Sequence, residues 1–144
     1  MTEAPRISIS EFEELCGEQL PFVALMGLKV MEIGFGRARI LLPTSENILR
    51  PGGTISGPAM MGLADAVMYA AILGQIGRVE QAVTTNLNIN FLRRPQPADI
   101  IGEGRLLKVG RRLAMGEVTM FTVGEEEAAV AHVTATYAIP PDHL

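Results

Sequence analysis

Apolar and polar positions change rhythm several times along the chain, and each change predicts an element. Ser10-Glu-Phe-Glu-Glu-Leu opens as a helix, with Ser10 as its cap and Glu13 three residues on in a capping-box pattern. Phe12, Leu15 and Cys16 form its apolar side and Pro21 follows its end, which places a short helix over about 10–20. From Met26 to Pro43 the rhythm becomes that of two strands: Ala38, Ile40 and Leu42 alternate with Arg37, Arg39 and Leu41 after a turn at Gly34-Phe-Gly. Residues 44–54 are loop, punctuated by Pro51-Gly-Gly. Ser56 is the cap of a second helix, Pro58 suits its first turn, and an Ala-, Leu- and Met-rich run continues to Gly77. This helix, about 57–76, has the length of a membrane span. Asp65 near its middle and its small residues point instead to a core helix, buried on nearly all sides.

Beyond Gly77 the alternation is that of strands. Over Ala82–Leu92, a period of two places Thr84, Asn86, Asn88 and Asn90 on one face and Val83, Thr85, Leu87, Ile89 and Phe91 on the other. Arg93-Arg-Pro-Gln-Pro is a loop, and strands follow over 99–109, 113–123 and 128–139. Runs of antiparallel strands with segregated helices give the α+β class in a single domain. No internal repeat or linker divides the chain.

Composition narrows the function classes. Of 144 residues, 48% are hydrophobic and 19% charged, too apolar for a disordered chain and ample for a core with surplus for a subunit contact. The net charge of −4 comes without a basic stripe, so nucleic acid is not an expected partner. The densest basic cluster, Arg105 to Arg112, reads as the solvated face of a strand. One cysteine, Cys16, and two histidines, His132 and His143, exclude a cysteine-based zinc site and a three-histidine metal site. His132, in an apolar strand, reads as a packed residue. No metal or cofactor is expected. The first ten residues lack an apolar signal core, so the expected location is cytoplasmic, away from membranes.

Gly53-Thr-Ile-Ser-Gly-Pro-Ala-Met-Met-Gly-Leu-Ala-Asp is similar to the G-x-[VIL]-H-G-G-x₅-[LA]-[AV]-D signature of PaaI-like acyl-CoA thioesterases. Thr84-Thr-Asn-Leu-Asn-Ile-Asn-Phe-Leu-Arg-Arg-Pro resembles that family's second block, Gly104 to Val118 its third, and Val130-Ala-His-Val-Thr-Ala-Thr-Tyr its last strand. The resemblance covers about residues 22–139. It implies the hotdog fold, an antiparallel sheet wrapped around one long central helix. Two departures stand out: Ser56 and Pro58 replace the family's usual His and second Gly, and Arg50 stands at the offset where the family often has Asn, with Asn47 slightly earlier.

A carboxylate inside an apolar helix costs several kcal/mol unless it is paired or put to use. Asp65 is therefore the pivotal residue, as general base toward water or as nucleophile forming an anhydride; the sequence leaves both open. Gly57, opening the helix, offers an unpaired N–H to a developing thioester oxyanion, whereas Pro58 has none to offer. Ser56 is either a plain cap or a hydrogen-bond partner of thioester or water. Thr84 aligns with a Ser/Thr that the family places near the attacking water. Asn47, Arg50, Asn86 and Asn88 are candidate groove residues, Arg93 and Arg94 candidate partners of CoA phosphates, and Met61 and Met68 candidate walls of an acyl pocket. Asp65 lies roughly 12–14 Å below the helix N-terminus, a long reach for one site in one subunit. The resemblance implies that dimer partners share each site, so a homodimer or homotetramer acting on an acyl-CoA is expected. The alternative is a non-catalytic acyl-CoA or lipid binder on the same fold. A hotdog hydratase ranks last, because its chemistry resembles a site with Asp and His together early in the central helix, and no His occurs there.

Overall fold

A computed structural model describes residues 3–141; His143 lies outside the described residues. Helix α1 spans Ile9–Gln19 and buries Phe12, Leu15 and Cys16. Its cap is Ser8 rather than Ser10. Ser8 Oγ accepts from Glu11 N at 3.1 Å, and Glu11 Oε1 accepts in return from Ser8 N at 3.0 Å. The same capping-box chemistry thus sits two residues earlier, with Ile7 buried just before it. A five-residue helix α2, Pro21–Leu25, follows without a break, where the sequence pattern predicts none. Pro21 stands in its first turn, where a missing N–H costs nothing, so the residue read as a stop is a start.

The remaining elements are β1 (Lys29–Gly34), β2 (Arg37–Leu42), a short 3₁₀ turn (Glu46–Ile48), two two-residue strands β3 (Leu49–Arg50) and β4 (Thr54–Ile55), α3 (Gly57–Ile76), β5 (Val83–Phe91), β6 (Ile100–Val109), β7 (Leu113–Thr122) and β8 (Ala129–Ala138). Six strands form one antiparallel sheet in the order β1-β2-β6-β7-β8-β5, so β5 is an edge strand, bonded only to β8. Ser56 caps α3 and Gly77, at φ 91°, ends it.

The fold is an α+β hotdog, because α3 is apolar on nearly every side and the sheet curls to cover it. Leu63, Ala64, Val67, Met68 and Ala70 to Leu73 are all buried. Two glycines on β6 let the helix approach. A Cβ at Gly102 would sit 3.1 Å from Val67 Cγ2, and one at Gly104 2.5 Å from Val67 Cγ1. By length and composition α3 is apolar enough to cross a membrane, but in this fold the sheet and the N-terminal helices cover most of it.

Candidate active site

Asp65 lies on the face of α3 turned toward β5 and the N-terminal helices. Gly62, Asp65, Ala66 and Tyr69 share this face at helical spacing and line a cavity of about 240 Å³. Across it stand Thr84 of β5 and Tyr137 of β8, paired in register. The Tyr137 hydroxyl lies 2.7 Å from Asp65 Oδ1 and 2.9 Å from the Asp65 carbonyl oxygen, and Thr84 Oγ1 also donates to Oδ1. Among the described residues no protein donor reaches Oδ2, which leaves that oxygen to a water or a substrate. The carboxylate is held by one oxygen and presents the other. Burial, followed by the charge of Asp65, pushes the Tyr137 phenol well above its usual range, so it remains a donor. Tyr69 stacks on Tyr137, with ring centroids 6.3 Å apart, and donates to the Glu80 carbonyl at 2.8 Å.

Thr84 reaches Asp65 because β5 is bulged. Thr84 pairs with Tyr137 but Asn86 pairs with Thr136, which leaves Thr85 as the extra residue. The bulge breaks the period of two. Thr84 therefore shares the inner face with Leu87 and Ile89, which pack against the core, while Asn86, Asn88 and Asn90 are exposed on the opposite face. The expected common face of Thr84, Asn86 and Asn88 is corrected accordingly: the two asparagines point away from Asp65. The Thr84 hydroxyl donates to Asp65 Oδ1.

The start of α3 lines a different cavity, of about 670 Å³, with Arg50, Phe91, Arg93, Arg94 and Gly57 among its walls. At this terminus Ala59 N donates to Ser56 Oγ at 3.4 Å, Met60 N donates to Ser56 O at 3.2 Å, and Pro58 has no N–H. Gly57 N–H is left as the free first-turn donor among the described residues. A Cβ at Gly57 would lie 3.3 Å from Phe91 Cζ, so glycine lets the ring rest against the helix start. Arg93 Nε donates to Ala129 O at 2.9 Å, and none of the three arginines is ion-paired among the described residues.

The structure thus gathers Arg50, Arg93, Arg94 and Gly57 at one cavity and Asp65 with Thr84 at another. Asn47 is exposed in the 3₁₀ turn and lines neither cavity. Met61 is exposed and also lines neither, whereas Met68 is fully buried with its sulfur against Gly116, so its acyl-wall role is corrected to core packing. Tyr137 is the residue that sequence reasoning missed as a partner of Asp65. A tyrosine in an apolar strand is visible in the sequence, but its distance of 72 positions from Asp65 gives no pairing.

A sequence model described as the thioesterase superfamily matches residues 52–129, a span that holds Gly57, Asp65, Thr84 and Arg93. This chain belongs to the thioesterase superfamily. Among solved structures, a candidate thioesterase from Silicibacter sp. TM1040 is 38% identical, with 98% of this chain and 95% of that one covered and a TM-score of 0.83. The phenylacetic acid degradation protein PaaI of Thermus thermophilus, solved as a mutant, is 24% identical over 83% of this chain and 99% of that one, with a TM-score of 0.74, and shows the shared fold. A candidate esterase of Saccharolobus solfataricus is 27% identical over 118 residues, 81% of this chain and 77% of that one. Superfamily membership and these relatives make the chain a hotdog hydrolase of thioester or ester bonds.

Proposed function

We propose that the protein hydrolyses acyl-CoA thioesters, with Asp65 of one protomer and the free Gly57 N–H of another serving one site. The observation that carries this reading is the carboxylate of Asp65, anchored through Oδ1 by Tyr137 and Thr84 with Oδ2 unengaged beside an apolar cavity. In the water-activating form, Oδ2 accepts a proton from water as the water oxygen bonds to the thioester carbonyl carbon. The carbonyl oxygen becomes an oxyanion, which an N–H at a helix N-terminus stabilises. Collapse restores the carbonyl, breaks the C–S bond and returns the proton to the departing thiolate. In the covalent form, Oδ2 attacks the carbonyl carbon and the C–S bond breaks, so that the thiolate leaves and takes a proton from water while Asp65 and the acyl group are joined as an anhydride, which a water molecule then opens to the free acid and the Asp65 carboxylate.

Within one chain Gly57 and Asp65 are eight residues apart on one helix, roughly 12 Å, and line different cavities. A single carbonyl cannot touch both. The unpartnered edge of β5, which carries Thr84 at one end and Phe91 at the other, is where a second copy would bring a Gly57 toward Asp65. Arg50, Arg93 and Arg94 beside Gly57 supply fork donors suited to the phosphates of CoA.

Thiol release from a series of acyl-CoA esters tests the reading. Asp65→Asn should lower kcat by about a hundredfold or more with the melting temperature kept, as for loss of a general base. Most of the activity surviving in that variant would overturn it. Single turnover in ¹⁸O-water then tests the covalent form: ¹⁸O in Asp65 requires an anhydride opened by water at the Asp65 carboxyl carbon, and the water-activating form never places it there.

A further inference from the structure

The cavity beside Asp65 is roofed by an element that the hydrolytic chemistry does not use. Helix α2 lies over Gly62, where a Cβ would meet Met26 Sδ at 2.7 Å and Phe22 Cε2 at 3.0 Å. Gly62 and Ala66, small residues flanking Asp65 on the lining face of α3, leave the hollow that Phe22 covers. The rest of the apolar wall is aromatic and aliphatic and includes Phe12, Leu20, Val23, Tyr69 and Tyr137. Beside Tyr69 the hollow is bordered by a polar cluster at the surface, in which Gln19 Nε2 donates to Glu80 Oε2 at 2.6 Å and Arg78 Nε to Glu80 Oε1 at 2.8 Å.

We propose that this chamber binds the acyl part of the substrate and that α2, through Phe22, sets the largest acyl group it takes. The proposal rests on the reading of Asp65 as the reacting carboxylate. A cavity of about 150 Å³ holds one benzene ring, so the 240 Å³ that one chain bounds here suits a compact acyl group of roughly ten non-hydrogen atoms. The ionisable carboxyls on the lining are Asp65 and Glu80, and no lysine or arginine lines it, so an acyl group ending in a carboxylate is rejected. Helix α2 is suited to such selection because it can be altered without opening the core. It has no fully buried residue and no side-chain cap, and Phe22 and Leu25 are 56% and 82% exposed.

The test is kcat/KM for straight-chain acyl-CoAs from acetyl to hexadecanoyl, with glutaryl-CoA included, in the wild type, Phe22→Ala and Ala66→Val. The wild type should prefer octanoyl to tetradecanoyl by about tenfold or more, and pentanoyl to glutaryl by at least as much, since each misfitted group costs a pocket of this kind such factors. Phe22→Ala should raise the tetradecanoyl-to-octanoyl ratio about fivefold, and Ala66→Val, which fills the hollow, should move the optimum to shorter chains. Equal rates up to hexadecanoyl, or an unchanged profile in both variants, would overturn the chamber while leaving Asp65 in place. No hydrolysis of any thioester would overturn both readings together.

Discussion

At its N-terminus α3 borders an open cavity of about 670 Å³ with three arginines and one free backbone N–H, whereas two turns further on it borders a cavity of about 240 Å³ walled by aromatic and aliphatic side chains around one carboxylate. Loops and a strand end build the first; helix faces and a bulged strand build the second. In the proposed reaction one helix serves two chemical needs. Cations and a helix dipole end suit phosphates and a developing oxyanion, and they work at an exposed rim. A carboxylate that must act on water is more effective where little else can solvate it. Both regions sit on one helix, roughly 12 Å apart, so they do not converge within one chain, and the proposed site takes one from each of two copies.

Complementation is the sharpest way to break that comparison. Gly57→Pro removes the free N–H, although its ring also presses on Phe91 and stands before Pro58, and it should be about as inactive as Asp65→Asn with the melting temperature reporting any loss of fold. Mixing the two variants and letting subunits exchange should restore about a quarter of wild-type activity, because half the dimers are hybrids and each carries one intact site. A mixture that stays inactive would place both groups in sites that no partner completes. Next in size is the anchoring of Asp65. Tyr137→Phe and Thr84→Val each remove one donor to Oδ1 and should lower kcat by about tenfold, near 1.4 kcal/mol, with KM little changed. Full activity in both would show that the carboxylate needs no anchor.

At the other cavity, replacing Arg50, Arg93 and Arg94 together by Ala should raise KM for acyl-CoA by about five- to tenfold and flatten its dependence on salt. A smaller effect on the matching N-acetylcysteamine thioester, which carries no phosphate, would tie the cations to CoA; equal effects on both would detach them from it. The smallest effect belongs to Ser56→Ala. Its bond to Ala59 N is long, at 3.4 Å, so the loss should be about 0.5–1 kcal/mol, seen as a fall of a few degrees in melting temperature. A tenfold drop in kcat without such a fall would make Ser56 a partner of the thioester rather than a cap.

The central helix is legible because its signals are local. Ser56, Pro58 and Gly77 mark its ends, and Asp65 stands out as an acid in an apolar run. The hotdog class is legible too, from the strand rhythm and the Gly53-to-Asp65 block. The candidate site is legible only in part. Asp65, Thr84 and Gly57 can be named, yet the face of Thr84 is misassigned, because one inserted residue at Thr85 reverses every later side chain and a period of two carries no mark of it. Helix α2 escapes the pattern because Pro21 serves equally as the end of one helix and the first turn of the next.

Local chemistry thus settles where each element starts, which of them are apolar all round, and which residues are chemically out of place. It does not settle which out-of-place residues meet. Tyr137 joins Asp65 across 72 positions only because β8 and β5 pair in one register, and the bulge turns Thr84 to the same point. The hollow beside them exists because Gly62 and Ala66 lack bulk just where Phe22 comes to rest. These meetings depend on strand register and helix packing, long-range contacts whose geometry is a property of the assembled fold and of no single segment.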